Sequence, residues 1–323
     1  MAIHIKKDGT VQSGLVDDNV VQPFALEKSG VRGRMVRLGS VLTDIMRQHD
    51  YPPPVSSLLS EVLTLCLLLS AMLKYDGTFS LQIKGSGVIR TLVADVTSNG
   101  EVRAYAGFEE AAVKKAAKRR GKGDKGKAES HYHLLGTGYM AFTVDQGGDN
   151  RYQGIVELKG GSIVEAAQHY LTQSEQIRTS FVMAVHPQDN YLRAGGIMIQ
   201  QLPEPDAATA VGSEPDIENW TRAAMFLSTC SEGEILSPVL HSADVLYRLF
   251  HEETVRIFSP THVRFKCRCS QSKVVDILRT IPRREMEEAC AKDGQVTITC
   301  EFCSMKYEFS VEDLAKVYEE KDI

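Results

Sequence analysis

The sequence predicts an α+β protein with a mixed α/β N-terminal core domain containing antiparallel strands, a helical middle segment and a small C-terminal module. Three observations predict it. Strand-like runs broken by glycine and asparagine turns recur between Phe79 and Leu202. Helix-periodic segments follow a stretch rich in proline and acidic residues. Four of the seven cysteines fall in two short pairs near the C-terminus. With 323 residues and 43% hydrophobic composition, the chain is long enough for two or three compact domains.

The opening "MAIHIKKDGTVQSG" lacks an apolar core followed by a small-residue cleavage site. No secretory signal is read there, and the expected setting is a reducing cytoplasm. After "YPPPV", Ser57 is placed to cap a helix running to about Lys74, stopped by Asp76-Gly77. Its most apolar part, "VLTLCLLLSAML" at 62 to 73, spans twelve residues. A membrane crossing needs about 20, so the segment reads as a buried helix and no membrane partner is expected.

"FSLQIKGSGVIRTLVADVTSNGEVRAYAGF" has runs of alternating or β-branched residues broken at Gly85-Ser86-Gly87 and Ser98-Asn99-Gly100, the pattern of an antiparallel meander. "YMAFTVD", "YQGIVELKG", "SFVMAV" and "GGIMIQQL" add strands, with a helix expected from Ser162 to Ile177. These elements form a core domain over residues 1–205. Within it, "EEAAVKKAAKRRGKGDKGKAES" carries eight lysines and arginines and no aromatic residue, so it reads as a solvated insertion.

A linker region is expected over 206–263. "PEPDAATAVGSEPD" at 203 to 216 is a surface connection by composition. A helix is predicted to start at Ser213, with Asp216 completing a capping box and Ile217, Trp220, Ala224 and Leu227 on one face. A second is predicted from Ser237-Pro238 through "VLHSADVLYRLFHEE".

Residues 264–323 form a module with too little apolar material to fold without a staple. "FKCRCS" supplies Cys267 and Cys269, and "TCEFCS" supplies Cys300 and Cys303. Two short thiolate pairs on turns can present four sulfurs to one point, which suits tetrahedral zinc. His251 and His262 lie upstream at irregular spacing and are read as ordinary residues; Cys66, Cys230 and Cys290 are scattered singly and read as buried hydrophobes.

The same spacing permits oxidation. A C-x-C pair on extended backbone has Cα atoms about 6.6 Å apart, near the upper limit for a disulfide, and a C-x-x-C turn brings them within about 7 Å. Around zinc the sulfurs stand roughly 3.8 Å apart, whereas a disulfide needs about 2.05 Å. Metal retention and oxidation therefore exclude one another. Structural zinc can supply an apparent ~10–16 kcal/mol to a small domain whose own core supplies about 3–5. Loss of zinc is expected to unfold the module, which makes it a candidate redox switch.

Nearly the whole chain resembles the heat shock protein 33 family of redox-regulated chaperones. The paired cysteines, "LFHEETVRIF" leading into "VRFKCRCS", and "LKYDGTFSLQIKGSGVIRTLVADVTSNGEVRAYA", "LLGTGYMAFTVD", "YQGIVEL", "QSEQIRTSFVMAV" and "RAGGIMIQQLP" carry the likeness in order. The resemblance implies an ATP-independent cytoplasmic holdase that serves in the stress response and is not an enzyme. It implies one zinc ion on Cys267, Cys269, Cys300 and Cys303 in the reduced, inactive state. Oxidation would pair Cys267 with Cys269 and Cys300 with Cys303, release zinc and destabilise the linker. The active form would be a homodimer that binds unfolded client proteins. The resemblance transfers no client-binding residue; the amphipathic helices between 213 and 253 are candidates. The lysine-rich insertion around 111 to 130 is a departure from the family pattern.

Two rival classes make other predictions. A zinc-ribbon nucleic-acid-binding protein needs a basic module, yet Arg264 to Ile323 holds eleven Lys or Arg against twelve Asp or Glu. The net charge of -5 gives no global drive toward nucleic acid either. A thiol-disulfide oxidoreductase would use "CEFC" at a helix N-terminus beside a βαβ pattern, whereas the pair follows the strand-like "VTIT". No phosphate-binding glycine loop or Ser-His-Asp signature is present in the sequence.

Overall fold

In the computed structural model the described residues are 17–120, 131–148, 150–159, 161–186, 192–201 and 217–319. They divide into two compact units, Met1–Phe265 and Lys266–Ile323.

The first unit opens with strands β1 (Val20–Leu26) and β2 (Val31–Leu38), then helices α1 (Ser40–Met46) and α2 (Pro53–Ser70). A meander follows, of β3 (Thr78–Gly85), β4 (Ile89–Thr97) and β5 (Glu101–Phe108), before helix α3 (Glu110–Arg120). Strands β6 (Gly138–Asp145) and β7 (Arg151–Glu157) lead to α4 (Ile163–Gln173), then β8 (Thr179–His186) and β9 (Arg193–Gln201). Helices α5 (Ile217–Ser228), α6 (Glu232–Ile235) and α7 (Ser242–Phe250) come next, and short strands β10 (Val255–Ile257), β11 (Thr261–His262) and β12 (Arg264–Phe265) close the unit.

These strands form two sheets. One has the order β10-β1-β2-β9-β8, with β11 also on β1; the other runs β12-β5-β4-β3-β6-β7. All pairings are antiparallel except β12 with β5. That last approach requires Gly100: its φ is +76°, and a Cβ there would stand 2.2 Å from the His262 carbonyl oxygen.

Helix α2 lies between the sheets, touching β2, β8 and β9 on one side and β3, β4 and β5 on the other. Apolar surface on both sides explains why its sequence is hydrophobic all round. Among the described residues it is the one helix long and apolar enough to cross a membrane, and 78% of it is buried inside the protein. The expected start at Ser57 is corrected to Pro53, because Pro52 to Pro54 suit a first turn whose N–H groups have no helical partner anyway. The helix ends at Ser70 rather than Lys74.

The β10-containing sheet is apolar on both faces. Val21, Val36, Leu38 and Met198 point to α2, while Phe24, Leu26, Val31, Met35, Ile197 and Ile199 face a second core built with α5, α6 and α7. Helix α7 starts at Ser242, which corrects the expected start at Ser237-Pro238. There the Ser237 hydroxyl accepts the N–H groups of Val239 and Leu240, a local turn that competes with helix. Helix α5 is described from Ile217, so the proposed capping box at Ser213 lies outside the described residues, as does the connection at 203–216. A capping box not foreseen joins Ser231 and Glu234 at α6.

The start of the lysine-rich stretch is α3, anchored by the buried Val113; residues 121–130 lie outside the described residues.

The second unit holds α8 (Gln271–Leu278), α9 (Arg283–Asp293), the antiparallel hairpin β13 (Val296–Thr299) and β14 (Lys306–Phe309), and α10 (Val311–Glu319). Its core is small: Val274, Leu278, Cys290, Val296, Phe309, Leu314, Val317 and Tyr318.

Candidate metal centre

Cys267 and Cys269 lie on the extended segment before α8, and Ser270 caps that helix by accepting the Lys273 N–H. Lys273 donates through Nζ to the Arg268 carbonyl at 2.9 Å, holding the residue between the two cysteines. Cys300 and Cys303 lie on the turn of the β13–β14 hairpin. The Cys300 N–H donates to the Met305 carbonyl at 2.9 Å, and the Ser304 N–H donates to the Cys300 carbonyl at 2.9 Å. Ser304 takes a left-handed φ of +56°, which turns the chain tightly enough for both sulfurs to face inward.

The four sulfurs converge. Cys267 Sγ is 3.7 Å from Cys300 Sγ, Cys269 Sγ is 3.5 Å from Cys303 Sγ, and all four lie within 4.8 Å of one another. Four half-buried sulfur donors at this separation could hold a metal ion, and the spacing is close to the roughly 3.8 Å set by a tetrahedron of Zn–S bonds. Among the described residues this is the one such donor cluster. His251 and His262 are exposed and belong to the first unit.

The electrostatics suit a cluster that gives up protons to a cation. Burial works to raise the Cys267 thiol, but the Cys269 backbone N–H and neighbouring thiols donate to its sulfur and bring it down to about 7. Cys300 and Cys303 are raised, by burial first, and for Cys303 also by its sulfur neighbours. One thiolate is thus favoured and further ones are opposed until a cation arrives. Tyr307, on β14, was not singled out from the sequence. Its hydroxyl bonds to Cys269, which with burial holds the phenol up at about 12. A lone tyrosine at a strand position carries no signal of such a role.

The remaining cysteines are elsewhere. Cys66 is fully buried in α2 and donates to the Ala94 carbonyl at 3.3 Å; Cys230 packs under α5 to α7; Cys290 lies in the core of the second unit. Burial pushes the Cys66 thiol well up and the Cys230 thiol to about 11, which leaves both protonated and unreactive.

An α+β chain whose small C-terminal unit gathers four thiols into a cluster that could hold a metal ion narrows the class of protein. Comparison with known proteins makes this specific. Residues 19–310 match the family described as Hsp33 protein. A protein of Caulobacter vibrioides named 33 kDa chaperonin is 35% identical over 303 residues, covering 91% of this chain and 95% of its own. One of Escherichia coli with the same name is 31% identical over 294 residues, covering 91% and 93%. The crystal structure of the 33 kDa chaperonin, Hsp33 homolog, of Thermotoga maritima shares the fold, with a TM-score of 0.75 at 23% identity over 95% of this chain and 99% of that one. The chain belongs to the Hsp33 family of chaperones.

Proposed function

We propose that this chain is a redox-regulated, ATP-independent holdase of the cytoplasm. In its reduced state Cys267, Cys269, Cys300 and Cys303 hold one zinc ion as thiolates, and the protein is inactive. These four sulfurs would hold the ion, and through it the segment before α8 would be cross-linked to the β13–β14 turn. The observation that carries the reading is the cluster of four sulfurs, at cross-pair distances of 3.5 and 3.7 Å, built from one C-x-C and one C-x-x-C pair.

Oxidation pairs Cys267 with Cys269 and Cys300 with Cys303. Each pair gives two electrons to one peroxide, whose two oxygens leave as water after taking up protons, and an S–S bond forms between the two sulfurs. Sulfurs drawn to about 2.05 Å cannot share a tetrahedral ion, so metal and cross-link go together. The small core that remains is too little to keep the unit folded.

Residues 206–263 act as the linker that responds. Among the polar contacts that tie it down, two centre on buried charged side chains. Arg37, buried on β2, donates to the carbonyls of Leu240 and Glu234, the latter at 2.7 Å. Glu253 accepts from Arg222 Nε at 2.6 Å and from the Ser29 hydroxyl. A buried guanidinium held by carbonyls is costly to desolvate, so this latch is stable only while the helices pack around it. When α5 to α7 loosen, the apolar face of Phe24, Leu26, Met35, Ile197 and Ile199 is exposed to unfolding clients. The active species is a homodimer.

One preparation tests this in two states. Zinc release, free thiols and suppression of client aggregation are measured before and after peroxide at raised temperature. Oxidation should release one zinc per chain, remove four thiols and switch suppression on. Equal suppression in both states, or zinc retained after the thiols are oxidised, refutes it.

A further inference from the structure

We propose that the cavity beyond the C-terminal end of α2 binds a small amphipathic carboxylate, its chain of about eight to twelve carbons between the sheets and its carboxylate on Arg32. The site is independent of the sulfur cluster.

Helix α2 fills the space between the two sheets only as far as Ser70, whereas the strands on either side run on. The gap left is a cavity of about 290 Å³. Leu69 and Met72 belong to its wall, with Phe79 and Phe142 from one sheet, Met198 from the other and Leu171 from α4. An apolar engineered cavity of about 150 Å³ takes benzene, so this one has room for roughly twice as much. Leu73 and Tyr152, 49% and 58% exposed, also line it, so a ligand can enter without the core opening.

The charged part of the lining is small and has a prevailing sign. Arg32 and Lys74 stand against one carboxylate, Glu175, which is exposed and already accepts the Tyr152 and Tyr170 hydroxyls at 3.0 and 2.8 Å. Arg32 is the informative residue. It is half-buried on β2, and burial holds its guanidinium below the ordinary value. Its Nε and Nη2 donate to the side-chain oxygen of the buried Gln200 at 3.1 and 2.7 Å, which fixes the plane of the fork. Among the described residues no carboxylate neutralises it, and Nη1 has no acceptor. Arg34, two residues along, shows a structural use for such a charge: it donates to the Ala71 carbonyl at 3.0 Å and caps α2. Arg32 has only the Gln200 amide. An oriented cation beside an apolar cavity is what a carboxylate with a hydrocarbon tail requires. Arg32 lies on the α2 side of its strand, opposite the face of Val31 and Met35, so occupancy of the cavity and exposure of that face are separable.

The test is calorimetric titration of the full chain, reduced and zinc-loaded, with decanoate, decanol and decylamine. Decanoate should bind at one per chain, roughly tenfold or more tightly than decylamine. Arg32→Gln should weaken decanoate by roughly tenfold or more and leave decanol within about twofold, because it removes the charge and keeps the walls. Leu171→Trp fills the cavity and should abolish binding of both. In the wild-type chain with methyl-labelled methionine, decanoate should shift the resonances of Met72 and Met198, which line the cavity, and leave those of the exposed Met225 and Met305 unmoved. That readout needs no variant, so it decides the matter even where Leu171→Trp fails to fold. No saturable decanoate binding, equal affinity for decylamine, indifference to Arg32→Gln, or shifts at Met225 and Met305 in place of Met72 and Met198 overturns the proposal.

Discussion

On the proposed reading each of the four clustered cysteines would contribute one donor of a set with no spare. Replacing any one by serine should lower zinc affinity by more than about a hundredfold, read by competition with a chromogenic chelator. Cys290→Ser should leave zinc content at the wild-type value, because that sulfur lies in the core of the second unit. Tyr307→Phe should cost about tenfold in zinc affinity through the lost bond to Cys269. Spacing in the sequence was enough to single out the four sulfurs that converge, since two short pairs on turns can face one point. Tyr307 was invisible because its role comes from cross-strand placement. A different residue gives a pH dependence. Burial in the apolar run of α2 raises the Glu61 carboxyl to about 7. The folded state then holds a proton that the unfolded chain releases near 4.5, so this group's contribution to stability falls as pH rises from about 4.5 to 7. Glu61→Gln should flatten that part of the melting-temperature profile between pH 5 and 8.

At the scale of elements, the decisive feature is the layer of α5, α6 and α7 on the sheet. Phe250 stacks on Phe24 with centroids 5.7 Å apart, and both are fully buried. Phe250→Ala should destabilise this layer by about 3–5 kcal/mol and give client protection in the reduced, zinc-loaded protein, measured as light scattering of an aggregating client. Acid should loosen the same layer by another route. Burial opposes ionisation of Glu253, yet Arg222 and Ser29 outweigh it and hold the carboxyl below its ordinary value. The stability it contributes is complete above about pH 4.5 and is lost as pH falls through the lowered value. Glu253→Gln should mimic that loss at neutral pH. Helix α5 was legible in part: of the expected face Leu227 is buried and Trp220 and Ala224 pack against the second core, whereas Ile217 is 50% exposed. The start of α7 was misread because proline suits a helix N-terminus and a turn equally, and only the Ser237 hydroxyl bonds decide between them.

For the whole molecule, the two units differ in what holds them. The first has two extensive cores, whereas the second has eight buried apolar side chains and the sulfur cluster. Removal of metal by a chelator under reducing conditions should make the chain cleavable after Phe265 while the first unit resists, seen as a stable N-terminal fragment in limited proteolysis. Strands and turns could be read locally, but the order of the sheets could not. Placement of β9 between β2 and β8, and of β12 beside β5, depends on contacts between residues far apart in sequence. Periodicity carries no information about such partners.

The position of α2 has a consequence for how this protein is made. It is synthesised by Ser70, but one of its covering strands, β9, is complete only at Gln201. At about 5–20 residues per second, a ribosome leaves this greasy helix without its full cover for on the order of ten seconds. During its own birth the chain displays the very kind of sticky surface that a chaperone exists to shield in others.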